Sequence, residues 1–272
     1  MAEKDLINKP KDLVEATPEE VEKVEKAVEV LEKKEEVLPI AIGRQRYGRP
    51  RISDDERQRE ALASWVPKTA LGRLVHSGKE KNIDDILEKQ KKIIEPEIVD
   101  TLLHITSDLL LIGQAKGKFG GGKRRAWRQT QKKTMEGNVT SFSSMAVVGD
   151  RNGHIGIGMG KAKETLPSRA KAIRLAKLNI IKVTRGFETK ESPGSKPHTV
   201  PFIVNGKCGS VRLKLIPAPR GTGLVIGDEC KKILRLAGIE DVYSVTRGQT
   251  RTVFNFAQAC IEALKKTNIS KL

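Results

Sequence analysis

The amino-acid sequence predicts an α/β (α+β) protein with two successive mixed domains, and three observations support this. A helix, three strands and a helix are predicted in that order within residues 96–183. Apolar and basic side chains alternate from Val211 to Leu215, which is typical of a half-buried antiparallel strand. An amphipathic segment at residues 253–265 predicts a closing helix. The 272 residues suffice for about two domains, each with a sizeable hydrophobic core.

Residues 1–42 are predicted to form an acidic, helix-prone extension. Residues 1–40 carry 12 acidic and 7 basic side chains, and Thr17 followed by Pro18 is a typical helix start. The apolar stripe of this helix is thin, so the helix alone is marginal. We expect it either to stay solvated or to dock on a basic neighbouring protein. Residues 43–95 are expected to be a basic linker with short helices, one of them starting near Asn82.

The first compact domain is expected at residues 96–183. Its predicted elements are, in order, a short helix at 98–103, strands at 108–112, 140–148 and 154–159, and a helix that Thr165 caps. Asn152-Gly153 is a turn of the kind that hairpins prefer. A basic glycine-rich loop at 113–137 is expected between the first two strands. The apolar stripe of the last helix is predicted to be Leu166, Ala170, Ile173, Ala176 and Ile180.

A polar connection at residues 184–198 precedes the second domain, which is expected at 199–272. Its predicted elements are, in order, strands at 199–204 and 210–216, a loop at 217–223, a helix at 228–237, a strand at 242–246, a loop at 247–252 and a helix at 253–265. Asn205-Gly206 is expected to join the first two strands, and Gly238 to end the first helix.

The segment from residue 113 to residue 133 carries eight positive charges and no negative one. Its glycines allow the backbone to approach a ligand closely, and Phe119 and Trp127 are candidates for stacking on unpaired bases. Lysine and arginine displace counterions from phosphates, and arginine also forms paired hydrogen bonds with phosphate oxygens. We favour nucleic-acid contact over a merely solvated charge run. For Trp127, burial in the core is an equally good interpretation.

Three further segments are candidates for phosphate contact. Residues 156–161 alternate glycine with apolar residues but lack the spacing of a phosphate-binding loop. The glycines more often indicate the close approach of a helix, whereas Lys161 and Lys163 lie near a predicted helix N-terminus. The loops at 217–223 and 246–252 combine arginine, glycine and hydroxyl side chains, which suit a sugar–phosphate backbone. Ordinary surface turns remain the alternative for each loop.

Composition excludes several other classes of function. Cys208, Cys230 and Cys260 lack the paired spacing of zinc sites and are expected to be small buried hydrophobic residues. The four histidines share no metal-ligand spacing, and no nucleophile or carboxylate pair is placed for catalysis. No apolar stretch reaches the ~18 residues of a membrane span. We therefore expect no enzyme, metal, cofactor or membrane contact, and a net charge of +17 indicates an acidic polymer as partner.

Several motifs follow one another along roughly residues 60 to 268, and their succession resembles one family closely. They are Val148-Gly149-Asp150-Arg151-Asn152-Gly153-His154, Lys196-Pro197-His198-Thr199-Val200-Pro201, Gly206-Lys207-Cys208-Gly209-Ser210-Val211-Arg212, Pro217-Ala218-Pro219-Arg220-Gly221-Thr222-Gly223 and Gly248-Gln249-Thr250-Arg251-Thr252. The chain resembles the universal small-subunit ribosomal protein number five family in its archaeal and eukaryotic form. An acidic N-terminal segment stands in place of the eukaryotic Arg-Gly-rich tail, which favours the archaeal type.

The resemblance implies a fold, a function and partners. The first domain would have a double-stranded-RNA-binding-like fold (α-β-β-β-α), and the second the family's own C-terminal α/β fold. The protein would be a structural constituent of the small ribosomal subunit in the cytoplasm that lines the messenger entrance and supports decoding accuracy. Its expected partners are small-subunit ribosomal RNA, messenger RNA and the small-subunit proteins numbered three, four and eight, without a homo-oligomer. Lys132, Lys133, Thr134 and Gly137 occupy the stretch that contacts ribosomal RNA in the family.

The predicted RNA-binding residues come from four segments of the chain. They are Lys116, Lys118, Lys123, Arg124, Arg125, Arg128, Lys132, Lys133, Lys161, Lys163, Arg220, Arg247 and Arg251. A free-standing double-stranded-RNA-binding regulator is the alternative function, and it would use the first domain alone. The RNA-facing loops of the second domain argue against this alternative.

Overall fold

A computed structural model describes residues 62, 64–114, 124–187 and 196–271 of the chain. All of them belong to one structural unit, Ser53–Leu272. Several predicted segments lie outside the described residues. They are the acidic extension, the part of the basic linker before residue 64 apart from residue 62, and residues 115–123 of the glycine-rich loop. The same is true of residues 188–195 in the predicted connection.

Three short helices open the described part of the chain. They are α1 at Ala70–His76, α2 at Ile83–Glu88 and α3 at Glu97–Leu102. The Thr69 hydroxyl accepts a hydrogen bond from the Gly72 N–H and caps α1. The Glu95 carboxylate accepts hydrogen bonds from the Trp65 indole and from the backbone N–H groups of Lys68 and Thr69. Glu95 therefore holds the start of α1 against the chain that leads into α3.

The first sheet contains five strands. They are β1 at Thr106–Leu109, β2 at Trp127–Thr134, β3 at Gly137–Gly149, β4 at His154–Ala162 and β5 at Ile180–Lys182. Strand β3 is long enough to pair with β2 along its first half and with β1 along its second half, while β4 pairs with its other edge. All pairs are antiparallel, and β5 completes the sheet beside β4.

The predicted order of helix, strands and helix is confirmed, but the predicted number of strands is wrong. Four strands, not three, separate α3 from the following helix α4, which spans Thr165–Leu178. The additional strand is β2, which lies inside the predicted loop 113–137. Its residues are polar or basic at nearly every position and exposed on both faces, so they lack the apolar alternation that indicates a strand. Strand β1 begins at Thr106 and ends at Leu109, before the predicted 108–112 run is complete.

Helix α4 packs unusually close to strand β4. A Cβ atom added at Gly156, Gly158 or Gly160 would overlap the backbone of α4, so only glycine allows this approach. The interpretation of these glycines as a helix contact is confirmed. The predicted stripe of α4 is wrong in part, because Leu166 is 72% exposed and small residues face the sheet instead. The buried positions of the helix are Ser168, Ala172 and Ala176, and its N-cap is Glu164 instead of Thr165.

The second sheet follows at residues 204–247. Its strands are β6 at Val204–Cys208, β7 at Val211–Pro217, β8 at Leu224–Val225 and β9 at Val242–Arg247, in the order β6-β7-β9-β8. Only β8 runs parallel to its neighbour in this sheet. Helix α5 spans Asp228–Leu236, helix α6 spans Val253–Lys265 as predicted, and a 3₁₀ helix follows at Lys266–Lys271.

The predicted turn at Asn205-Gly206 is wrong. Both residues lie within β6, and the turn to β7 falls at Gly209 and Ser210. A Cβ atom at Gly206 would overlap the backbone of Ala259 on α6, so this glycine serves helix packing instead of a turn. The strand predicted at 199–204 is likewise absent from the described residues, apart from one bridge between Thr199 and Gly186.

One hydrophobic core joins the two sheets. Met145, Val147 and Ile157 of the first sheet belong to the same buried cluster as the residues of α5 and α6. At the edge of this core, the Glu229 carboxylate accepts the Leu111 N–H at 2.7 Å, and the Lys232 ammonium donates to the Leu109 carbonyl at 2.9 Å. Cys230 and Cys260 are buried in the core as expected, whereas Cys208 is half-buried. No helix among the described residues is long and apolar enough to span a membrane.

A histidine links α2 to the turn between β3 and β4. His154 Nδ1 lies 2.6 Å from Asp150 Oδ2, and Nε2 lies 3.0 Å from Asp84 Oδ1. The Lys182 ammonium also contacts the carboxylates of Asp84 and Glu88, each at 3.0 Å. Burial alone would lower the pKa of His154, but hydrogen bonds to Asp150 and Asp84 outweigh burial and raise this pKa above its ordinary value. The charged imidazolium is therefore the form that stabilises the link.

Because α4 packs so closely on β4, we expect a single added methyl group to lower the free energy of unfolding strongly. Gly158→Ala places a Cβ against the backbone of Ala172 and Ala176, and we expect a loss of about 3 kcal/mol in the free energy of unfolding from overpacking. Urea denaturation measures this loss. Met159→Ala on the same strand is the control, since Met159 is 48% exposed and should cost less than about 1 kcal/mol. Equal stability of the two variants would contradict the close packing.

The raised pKa of His154 predicts a pH-dependent stability. A group with a raised folded pKa contributes fully below its unfolded value, 6.5 for histidine, and loses this contribution as pH rises through the folded value. The free energy of unfolding should therefore fall as pH rises above about 6.5, and this fall should be absent in His154→Gln. His104→Gln, which changes an exposed histidine, is the control. A pH profile unchanged by His154→Gln would exclude the proposed link.

Candidate nucleic-acid interface

The β2–β3 hairpin extends away from the core. From Arg128 to Lys133, every side chain of β2 is exposed, and Met135 at the tip is fully exposed. A two-residue loop joins the strands, since Thr134 pairs with Gly137 and the Thr134 hydroxyl donates to the Gly137 carbonyl at 2.8 Å. Gly137 has a φ of +118°, a conformation that favours glycine. The hairpin places two cations near its tip.

Lys132 and Lys133 are these two cations. Consecutive residues of a strand point to opposite faces, so the two ammonium groups lie on the two sides of the hairpin. Lys132 pairs in register with Val139, and Lys133 with Asn138. Because every side chain from Arg128 to Lys133 is exposed, this part of the hairpin contributes nothing to the core of the domain. It can enter a groove of an RNA, where both sides meet phosphates.

A row of polar side chains crosses the sheet at the base of the hairpin. Arg128 on β2 lies in register with Ser143 on β3, and Ser143 lies in register with Lys161 on β4. Arg128 and Lys161 are both exposed. Lys163 is exposed between the end of β4 and the start of α4, close to the positive end of a 14-residue helix. The sheet therefore continues the basic surface of the hairpin toward α4.

The structure brings one predicted residue of the second domain to this surface. Arg251 lines a cleft of about 500 Å³ together with Arg124 and Arg128 of the first domain. Thr252 and Phe254 line the same cleft. Three arginines around one opening suit an anion, because a guanidinium group offers paired N–H donors in a plane that fits a phosphate. Spacing along the sequence cannot reveal this cluster, since Arg251 follows helix α5 and the whole second sheet.

Trp127 belongs to neither buried core cluster of the described residues, and its stacking on bases stays a prediction. The indole is half-buried, and the Arg169 and Arg125 guanidinium carbons lie 5.2 Å and 6.0 Å from its ring centroid. These distances suit cation–π attraction, which orients the arginines. Arg169 was not predicted; it stands on α4, and only the contact between the helix and β2 reveals it. Trp127 lines a cavity of about 220 Å³ together with Arg125 and Thr130.

The remaining predicted residues lie apart from the cleft or outside the described chain. Arg247 is exposed at the end of β9, opposite Arg212 in the register of the second sheet. Arg220 lies in the loop after β7 and lines a different cleft. Lys116, Lys118, Phe119 and Lys123 fall outside the described residues.

The titratable side chains of the described residues show no arrangement typical of a metal site. Among residues 64–114, 124–187 and 196–271, no group of three or more histidines, cysteines, aspartates or glutamates could hold a metal ion. Hydrogen bonding to Cys260, together with burial, raises the pKa of the Cys230 thiol, so this cysteine is a poor nucleophile. The arrangement is suited to binding anions by charge and hydrogen bonding.

Comparison with known proteins agrees with the geometry. Residues 126–184 match the N-terminal domain of ribosomal protein S5, and residues 206–271 match its C-terminal domain. Small ribosomal subunit protein uS5 of Nanoarchaeum equitans is 48% identical over 206 residues, which cover 75% of this chain and 88% of that protein. The uS5 proteins of Hyperthermus butylicus and Methanocaldococcus jannaschii are 46% and 44% identical, over 76% and 77% of this chain and 92% and 90% of theirs.

The cleft that the two domains share predicts the effect of removing its charges. The double variant Arg128→Gln/Arg251→Gln should bind small-subunit ribosomal RNA of Methanocaldococcus jannaschii about tenfold more weakly. The slope of log affinity against log salt should fall by about 1.5 to 2, because two phosphate contacts are lost. Filter binding across a salt series measures both quantities.

Lys79→Gln/Lys89→Gln removes the same charge from exposed sites on the α1–α2 side and is the matched control. This control should leave the slope within experimental error of the parent value. If both double variants lower the affinity equally, then net charge alone drives binding and the cleft has no special part in it.

Proposed function

The chain belongs to the ribosomal protein S5 family, and from this premise we propose that it binds small-subunit ribosomal RNA, lines the messenger entrance and supports decoding accuracy. Members of this family are structural proteins of the ribosome and not enzymes. The cellular location of this protein is accordingly the small subunit of the cytoplasmic ribosome. The role in the ribosome is thus structural, and the proposal concerns the contacts that the protein makes there.

The observation that carries the proposal is the convergence of Arg124, Arg128 and Arg251 on one cleft beside the exposed hairpin. These residues come from both domains, so the full interface exists only when the domains are packed together. A free-standing regulator that reads duplex RNA with its first domain would not need Arg251. The geometry therefore favours a fixed site on a large RNA over the binding of arbitrary duplexes.

Contact with neighbouring proteins is part of the proposal. Val225, Tyr243 and Val245 are between 41% and 48% exposed, and the strand register places them on neighbouring strands of the second sheet. Exposed apolar side chains on one sheet are typical of an interface with a protein. The family resemblance suggests the small-subunit proteins numbered three, four and eight as neighbours. Messenger RNA at the entrance would meet the basic hairpin side of the protein.

The proposal predicts stable, stoichiometric attachment to the small subunit. Extract of the cells that make the protein is centrifuged on sucrose gradients at about 0.1 M and about 1 M salt, and the protein is followed by immunoblot. We expect nearly all of it to sediment with the small subunit under both conditions, because a peripheral electrostatic binder dissociates as salt rises. Recovery mainly in the soluble fraction would favour the free RNA-binding regulator instead.

A further inference from the structure

Two of the three cysteines lie together in the core of the second domain. Cys230 lies on α5 and Cys260 on α6, and both residues are fully buried. The Cys230 Sγ lies 3.9 Å from the Phe256 carbonyl oxygen. In an α-helix this carbonyl is also the acceptor of the Cys260 N–H, four residues further on. The two thiols are close enough for a hydrogen bond between them.

The chemistry of this pair exceeds what packing needs. A buried cysteine ordinarily serves as a small hydrophobic residue, and alanine or valine can fill such a place as well. Two thiols that touch across a helix–helix contact are also the arrangement that precedes a disulfide. The sulfur atoms then need to approach only by the difference between a non-bonded contact and a bond. Small rotations of both side chains supply this movement.

The position of the pair gives a disulfide a structural consequence. Cys230 is flanked on α5 by Glu229 and Lys232, whose side chains hold the first domain through hydrogen bonds to the backbone at and just after the end of β1. Cys260 stands on α6, the helix that packs closely against Gly206 of β6. A bond between the two cysteines therefore joins the helix that holds the first domain to the helix that covers the second sheet.

We propose that Cys230 and Cys260 are a redox-dependent modification site, at which a disulfide joins α5 to α6. The oxidant is a low-molecular-weight disulfide. The thiolate of one cysteine attacks a sulfur of this oxidant and releases one small thiol, and the thiolate of the other cysteine then attacks the mixed disulfide and releases the second. The protein loses two protons and two electrons, and the oxidant takes up both to become two thiols. The site is independent of RNA binding.

Burial determines when the bond forms. In the folded chain the oxidant has no access to either sulfur, and hydrogen bonding to Cys260 together with burial raises the pKa of the Cys230 thiol, so the reactive thiolate is scarce. A chain that is still folding exposes both thiols. Once the bond has formed, the same burial excludes reductants. The state of the pair therefore records the redox conditions under which the protein folded.

The test uses the full chain, unfolded in urea with a reductant and refolded in oxidised glutathione. Free thiols are then alkylated, and trypsin digestion without reductant precedes mass spectrometry. We expect the peptides of residues 221–231 and 252–265, which contain Cys230 and Cys260, to be joined. Cys208→Ser is the matched control and should give the same joined pair, because Cys208 is half-buried on β6. The folded chain in the same oxidant should form the bond at least about tenfold more slowly.

Thermal unfolding measures whether the bond fits the folded core. The disulfide closes a loop of about 30 residues, so the oxidised chain should unfold about 5 to 10 °C above the reduced chain. Cys208→Ser should show the same difference, whereas Cys260→Ala should show none. The comparison of oxidised with reduced Cys208→Ser needs no change in the core, so it holds even where Cys260→Ala folds poorly.

Three results would overturn the inference, and all of them leave the proposed function intact. The first is a refolded chain in which Cys230 and Cys260 remain free thiols. The second is a mixture of pairings that includes Cys208 in equal amounts, since the fold would then not favour this pair. The third is an oxidised chain that unfolds at a lower temperature than the reduced chain, since the core would then not accommodate the bond.

Discussion

The close contact between the β3–β4 turn and the C-terminal end of α5 is the constraint on which the basic cleft shared by the two domains depends. A Cβ at Gly149 would overlap the Leu236 carbonyl, and one at Gly238 would overlap the Arg151 carbonyl, so neither position tolerates a larger residue without a shift. The contact brings the second domain against the first sheet, and a single core fills the space between them. Arginines from distant segments then lie on the same surfaces. Without this contact, the cations would be distributed over two independent domains.

Much of the fold could be predicted because local chemistry determines it. Helix α6 was predicted to the residue from its apolar spacing, and the glycines of β4 correctly indicated a helix at close range. The prediction failed where tertiary contacts override a local pattern. Strand β2 has no buried face, so its pairing with β3 leaves no hydrophobic signal, and Asn205-Gly206 resembles a turn although α6 requires its glycine. The failure at Gly206 concerns a partner remote in sequence, Ala259 on α6, whereas the failure at β2 reflects the absence of a buried face on a strand whose partner is adjacent in sequence.

In the candidate site, too, the types of residue could be predicted from the sequence, whereas their arrangement in space could not. The sequence predicts which arginines and lysines are candidates for contact with a polyanion, because single-sign charge and glycine are local properties. It cannot indicate that Arg251 joins Arg124 and Arg128 at one cleft. Arg169, whose guanidinium lies over Trp127, was missed for this reason. The roles of these residues in RNA binding remain predictions, whereas membership of the family follows from both domains of the chain.

The central claim is that the β2–β3 hairpin and the cleft of Arg124, Arg128 and Arg251 hold ribosomal RNA in the small subunit. The most direct test is ultraviolet crosslinking of intact small subunits, followed by mass spectrometry of the peptides joined to nucleotides. The account predicts crosslinks in peptides of the β2–β3 hairpin, which contain Trp127, and in peptides that contain Arg251. Crosslinks confined to one of these peptides, or found only on the outer face of the second sheet, would contradict it.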